Sequence, residues 1–99
     1  MDAYLEMILG NKAGSVYTLR GEAENQIGCG RECEVAVTDP LCSRVHAIVR
    51  RNGDDWRLWD AMSHNGSYVN GQRVEDASLM DHAQIRVGST EFLFHLRAE

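Results

Sequence analysis

Three short stretches of the chain hold most of the side chains able to do chemistry. Residues 38 to 46, Thr38-Asp39-Pro40-Leu41-Cys42-Ser43-Arg44-Val45-His46, bring hydroxyls, an arginine and an imidazole. Residues 61 to 67, Ala61-Met62-Ser63-His64-Asn65-Gly66-Ser67, bring the same kinds of group and a turn former. A third stretch, Gly28-Cys29-Gly30-Arg31-Glu32, pairs glycine flexibility with an arginine. Read as catalysis, Ser43 and His46 with Asp39 nearby imitate a hydrolase trio. No Gly-x-Ser-x-Gly elbow or other nucleophile motif accompanies them, so no enzyme is expected. Nucleotide chemistry lacks its Gly-x-x-x-x-Gly-Lys loop. Cys29 and Cys33 stand four apart without a second pair at zinc-finger spacing. With Cys42 they make an odd set, unlike a secreted disulfide framework, and read as small buried apolar side chains in a reducing compartment. No metal and no cofactor is expected.

These loops need elements to hold them, and the chain supplies strands. It has 99 residues, enough for one domain, with 43% hydrophobic and 25% charged residues as in an ordinary globular protein. Leu5, Met7 and Leu9 alternate onto one face, and Ser15 to Arg20 reads as a return strand. Val35 and Val37 alternate next, then Ala47 to Arg51 runs through Asn52-Gly53 into Trp56-Arg57-Leu58-Trp59. Asn-Gly between strand-like runs predicts a hairpin turn there, and again at Asn70-Gly71, because both residues tolerate left-handed angles. Ile85-Arg86-Val87, a turn at Gly88-Ser89 and a last strand from Glu91 to Arg97 close the chain. Residues 77 to 85 have a loose helical spacing, but they are too few and lack a C-cap, so they read as loop then strand. Many short strands with frequent turns predict an all-β, antiparallel β-sandwich or barrel.

The same loops, in this order, carry a resemblance. Ile27-Gly28, Cys33-Glu34-Val35-Ala36-Val37, Asp39-Pro40, Cys42-Ser43-Arg44-Val45-His46-Ala47, Trp56-Arg57-Leu58, Asp60, Ser63 to Gly71 and Ile85 to Gly88 resemble a forkhead-associated (FHA) domain. The likeness covers roughly residues 3 to 96 and is similar to FHA modules of bacterial signalling proteins and transcriptional regulators. It implies a sandwich of two twisted sheets (FHA/SMAD-like) with ligand loops at one end. It also implies a non-catalytic module that binds phosphothreonine peptides. A phosphothreonine carries about −1.5 to −2 charges and three strong acceptor oxygens, so its site needs converging donors, at least one cationic. By resemblance Ser43 bonds the phosphate, Arg44 and His64 contribute from ligand-facing positions, and Asn65 pairs with the peptide backbone. Gly28, His46, Gly66, Ser67, Asn70 and Gly71 are expected to support the binding loops.

One departure stands out. The family reads Ile-Gly-Arg, and that arginine grips the phosphate; aligned without gaps, its place here is Cys29, with Arg31 two residues on. Arg31 is therefore the candidate displaced phosphate ligand. The alternative is a degenerate FHA domain used for phospho-independent interaction or self-association. Plainer roles stay open too: Ser43 and Asn65 as turn formers, Arg44 and His64 as solvated surface groups. His82, His95, Trp56 and Trp59 read as surface or core packing. The net charge of −5 (10 basic, 15 acidic residues) argues against indiscriminate binding to nucleic acid or anionic lipid. Residues 31 to 57 are neutral, with five arginines and five acids, so the acidity lies outside that central segment. No apolar run approaches the ~18 residues of a bilayer span, and no basic leader opens the chain. A cytoplasmic fragment of a larger regulatory protein is the expectation for residues 1 to 99, with Asn65-Gly66-Ser67 an accidental glycosylation sequon.

Overall fold

A computed structural model describes residues 2–97. Its strands are β1 (Asp2–Leu9), β2 (Val16–Thr18), β3 (Asn25–Gly28), β4 (Val35–Ala36), β5 (Ala47–Asn52) and β6 (Asp55–Asp60), followed by β7 (Ser67–Val69), β8 (Gln72–Val74), β9 (Asp76–Ser78), β10 (Gln84–Val87) and β11 (Thr90–Arg97). They form two sheets, a six-stranded one ordered β2-β1-β11-β10-β7-β8 and a five-stranded one ordered β4-β3-β5-β6-β9. All pairs are antiparallel except β3 with β4. The described residues contain no helix; of residues 77 to 85, expected as loop then strand, 77 and 78 instead belong to β9, where they pair with β6, while 79 to 83 are loop and β10 follows from Gln84.

Period-two alternation builds the core from both sheets. Leu5, Met7, Ile85, Val87, Phe92 and Phe94 from the first sheet meet Ile27, Val35, Val49, Trp56 and Leu58 from the second. Trp56 and Phe94 cross the interface with ring centroids 6.1 Å apart. Two local expectations are corrected. Leu9 does not share the inward face of Leu5 and Met7 but is 54% exposed. The β1–β11 register shifts between Met7 and Leu9, and that irregularity turns the alternation over. The first hairpin turn is Gly53-Asp54 rather than Asn52-Gly53, because Asn52 still pairs with Asp55. Gly53 takes φ 64 at the first turn position, the glycine-dependent form that matches strand twist. At the second hairpin the expectation holds: Asn70 (φ 51) and Gly71 (φ 83) make the turn between β7 and β8. Ser15 to Arg20 does return along β1, but only Val16–Thr18 is strand.

Candidate functional site

The two hydroxyl-rich loops lie between β4 and β5 and between β6 and β7, with the glycine-arginine stretch between β3 and β4 beside them. Close backbone packing joins the first and third. Cys29 N–H donates to Ser43 O at 3.0 Å, and Gly30 N–H donates to Arg44 O at 2.9 Å. Gly28 sits so tightly against this strip that a Cβ there would lie 2.1 Å from Arg44 O. Only glycine permits that approach.

Buried His46 links the first loop to the second. Ser43 N–H donates to His46 Nδ1 at 3.0 Å, and His46 Nε2 lies 2.7 Å from Gly66 O. An N–H can only donate and a carbonyl can only accept, so His46 is neutral, with its proton on Nε2. Two carboxylates finish the scaffold. Asp60 accepts from the hydroxyls of Ser63 (2.5 Å) and Ser67 (2.6 Å) and from Ser63 N–H. Ser63 Oγ in turn accepts from Gly66 N–H at 2.9 Å. Asp39 accepts from Leu41 N–H, Ser89 N–H and the Thr90 hydroxyl, fastening the first loop to the β10–β11 turn. Burial pushes both carboxyls up, but these hydrogen bonds outweigh it and hold them below the usual carboxylate range. The imitation hydrolase trio is not assembled. His46 Nδ1 faces the Ser43 backbone and Asp39 faces Ser89 and Thr90.

On this frame stand the exposed groups. Ser43 Oγ accepts from His64 N–H at 3.1 Å, and Asn65 Nδ2 donates to Leu41 O at 2.8 Å. Ser43, His64 and Asn65 are thereby brought together. Arg44 follows Ser43 directly, its side chain 79% exposed and its guanidinium paired with Glu32 at 3.2 Å. Arg31 is exposed and makes no side-chain bond to these loops among the described residues. Cys29 is exposed, contrary to the expectation of three buried cysteines, and its thiol lies 3.4 Å from Cys42 O. It edges the loops instead of packing beneath them. Asn70 and Gly71 occupy the far end of β7, where Asn70 Oδ1 accepts from Gln84 N–H; they secure that hairpin against β10 rather than touching the loops.

Sequence reasoning named Asp60, Ser63 and Glu32 within its motifs without giving them a role, and passed over Arg73. Arg73 crosses Gly66, whose Cβ would lie 2.6 Å from Arg73 Nε. Asp60 and Ser63 carried a signal, a carboxylate three residues before a serine at a strand end, the pattern of a local capping turn. Arg73 had none, because its contact depends on hairpin geometry.

The comparisons with known proteins agree with this architecture. The family model described as "inner membrane component of T3SS, cytoplasmic domain" matches residues 6–97. An oxoglutarate dehydrogenase inhibitor of Corynebacterium jeikeium is 33% identical over 92 residues, covering 93% of this chain and 63% of the inhibitor. The FHA domain-containing protein FhaA of Mycobacterium tuberculosis is 34% identical over 88 residues, 89% of this chain but 16% of FhaA. The chain thus spans less than two thirds of either relative. The FhaA FHA domain, solved in complex with the intracellular domain of another protein, superposes with a TM-score of 0.85 at 31% identity, covering 94% of this chain and 99% of that domain. Mycobacterium tuberculosis EmbR, solved with a low-affinity phosphopeptide, superposes at 0.89 with 29% identity over 99% of this chain and 25% of EmbR.

Proposed function

The chain belongs to the forkhead-associated family, and on that premise we propose that it is a non-catalytic module that binds phosphothreonine in a partner protein. The observation that carries this reading is the cluster of Ser43, His64 and Asn65, locked from beneath by neutral His46. Ser43 Oγ already accepts from His64 N–H, so its own hydrogen is free to donate to a phosphate oxygen. Asn65 Nδ2 is committed to Leu41 O, which leaves Oδ1 to accept a peptide N–H from the ligand. Arg44 is the adjoining cation; an exposed ion pair like that with Glu32 is worth about 0–1 kcal/mol, so a phosphate dianion displaces it readily. Arg31 and Arg73 supply further positive charge at the rim.

The module's setting is read as a longer bacterial signalling or regulatory protein in a reducing, cytoplasmic compartment. Its short span of its relatives and three free cysteines support that. The net charge of −5 weighs against nucleic acid or anionic lipid as partner.

Cys29 favours a second reading, phospho-independent interaction or self-association. A charge-assisted bond is worth roughly 1.5–3 kcal/mol, so an uncompensated loss of the family's arginine weakens phosphate binding by about one to two decades. A phosphothreonine peptide library, screened beside its unphosphorylated counterpart, separates the two. Phosphate-dependent capture that falls about tenfold in Ser43→Ala supports the first reading. Equal capture of both forms supports the second, particularly if Cys29→Arg then confers phosphate dependence.

A further inference from the structure

Tyr4 on β1, His95 on β11 and His82 in the turn that leads into β10 form a row at one side of the six-stranded sheet, away from the loops. Tyr4 pairs with His95 in the β1–β11 register, and the two rings stack with centroids 4.6 Å apart. His82 comes next. Its N–H donates to Phe94 O at 2.7 Å, and Phe94 N–H donates to Ala83 O at 2.9 Å, which extends the pairing of β11 beyond the end of β10. The two imidazoles meet edge to face at 5.5 Å. Carboxylates flank them. Asp81 Oδ1 accepts from Leu96 N–H at 2.8 Å, while its Oδ2 lies 3.7 Å from His82 Nδ1. Glu6 Oε1 lies 3.0 Å from His95 Nε2.

We propose that Asp81, His82 and His95 bind a divalent transition-metal cation of the Zn2+ class. Two imidazole nitrogens and one carboxylate oxygen suit zinc and its neighbours, whereas Mg2+ and Ca2+ favour all-oxygen shells. The spacing is near what such an ion needs. Metal bonds of ~2.0–2.1 Å in a tetrahedron set ligand atoms ~3.4 Å apart. Here one ligand atom from each of the three residues lies within 4.8 Å of the others, and the Asp81–His82 pair stands at 3.7 Å. Rotation of the exposed His82 and Asp81 side chains closes the remainder.

The backbone sets where the His82 ring stands. His82 holds φ 71, a left-handed conformation uncommon for a residue with a side chain. Histidine is among the residue types that adopt it most readily, and here it sets the ring beside Asp81 and His95. Among the described residues the His82 ring makes no hydrogen bond, so no such bond accounts for its place. Glu6 beside His95 Nε2 is the kind of acidic neighbour that orients a metal-binding imidazole. The fourth position of the ion faces solvent and takes water.

Zinc chloride titrated into the full chain, with magnesium chloride as control, tests the assignment. Imidazole resonances and the thermal unfolding midpoint are followed together. The expected result is a 1:1 end point that moves His82 and His95 signals and raises the midpoint, with no response to Mg2+. His82→Asn keeps a residue that tolerates the left-handed backbone, so it folds, and it weakens Zn2+ binding at least about tenfold. His95→Gln should do the same. Wild-type affinity in H82N overturns the proposal. So does zinc that moves only His64, binding lost on alkylating Cys29, or the lack of any saturable binding below millimolar Zn2+.

Discussion

Arg44 is the exposed cation that follows Ser43, and Glu32 already occupies its guanidinium at 3.2 Å. Under the phosphothreonine reading, that carboxylate competes with the ligand. Glu32→Gln should therefore tighten phosphopeptide binding by up to about fivefold, the equivalent of an exposed pair of roughly 1 kcal/mol. Fluorescence anisotropy of a labelled phosphopeptide checks this, and an unchanged Kd would separate Arg44 from the ligand. Cysteine chemistry belongs to the same scale. Burial pushes the Cys42 thiol up to about 12 and raises that of Cys33 as well, while Cys29 is open to solvent. Thiolate is the reactive form, so iodoacetamide at mildly alkaline pH should add once to the native protein, at Cys29. The other two should react only in denaturant, as mass spectrometry of the intact and digested protein would show.

Elements are joined here by close backbone contact, and glycine and asparagine carry the joints. Gly28→Ala would press a methyl group into Arg44 O and disturb the bonds from Cys29 and Gly30 to the neighbouring loop. A loss of about 1–3 kcal/mol in stability is expected, with weaker phosphopeptide binding beyond it, measurable by urea unfolding and anisotropy. Asn25 is buried at the start of β3. Its Oδ1 accepts from Arg20 N–H, and its Nδ2 donates to Arg20 O and Val49 O at 3.0 Å. Asn25→Asp removes those donors and sets a carboxylate against two carbonyls, so it should destabilise by more than the about 1–3 kcal/mol of an unsatisfied neutral group. Asn25→Ala should cost less, because it removes the polar group rather than turning it repulsive. Of these two joints, the role of Gly28 was visible in the sequence as a family position, but its physical reason was not. The reason lies in Arg44 O, sixteen positions along the chain.

Across the whole molecule, Asp39 ties a loop of the five-stranded sheet to the β10–β11 turn of the other, and Asp60 organises the loop leading back to that second sheet. Both carboxyls lie below their ordinary range because several donors hold the ionised form despite burial. A folded-state value below the unfolded one stabilises the protein above the ordinary carboxylate value. That contribution is lost as pH falls through the folded value. Stability should thus decline with acid below about pH 4. Asp39→Asn and Asp60→Asn should each lower stability at neutral pH and flatten that decline, as chemical denaturation at a series of pH values would reveal. A mutant whose stability keeps the wild-type acid slope would remove that carboxylate from the linkage.

What the sequence determined by itself was local. Alternating apolar residues and turn formers prescribed strands, hairpins and a sandwich or barrel, with the sandwich implied by the family resemblance, because a strand's two faces and a turn's backbone angles depend on neighbours a few residues away. Where local chemistry competed, as at Leu9 and Asn52-Gly53, register had the final say; one slipped pair reverses which face is buried. Tertiary structure alone decided which distant groups meet. His46 reaches Gly66, Asp39 reaches Thr90, and Glu6 reaches His95, pairs separated by 20, 51 and 89 positions. No sequence period encodes such separations, because they follow from strand order and from the packing of one sheet on the other.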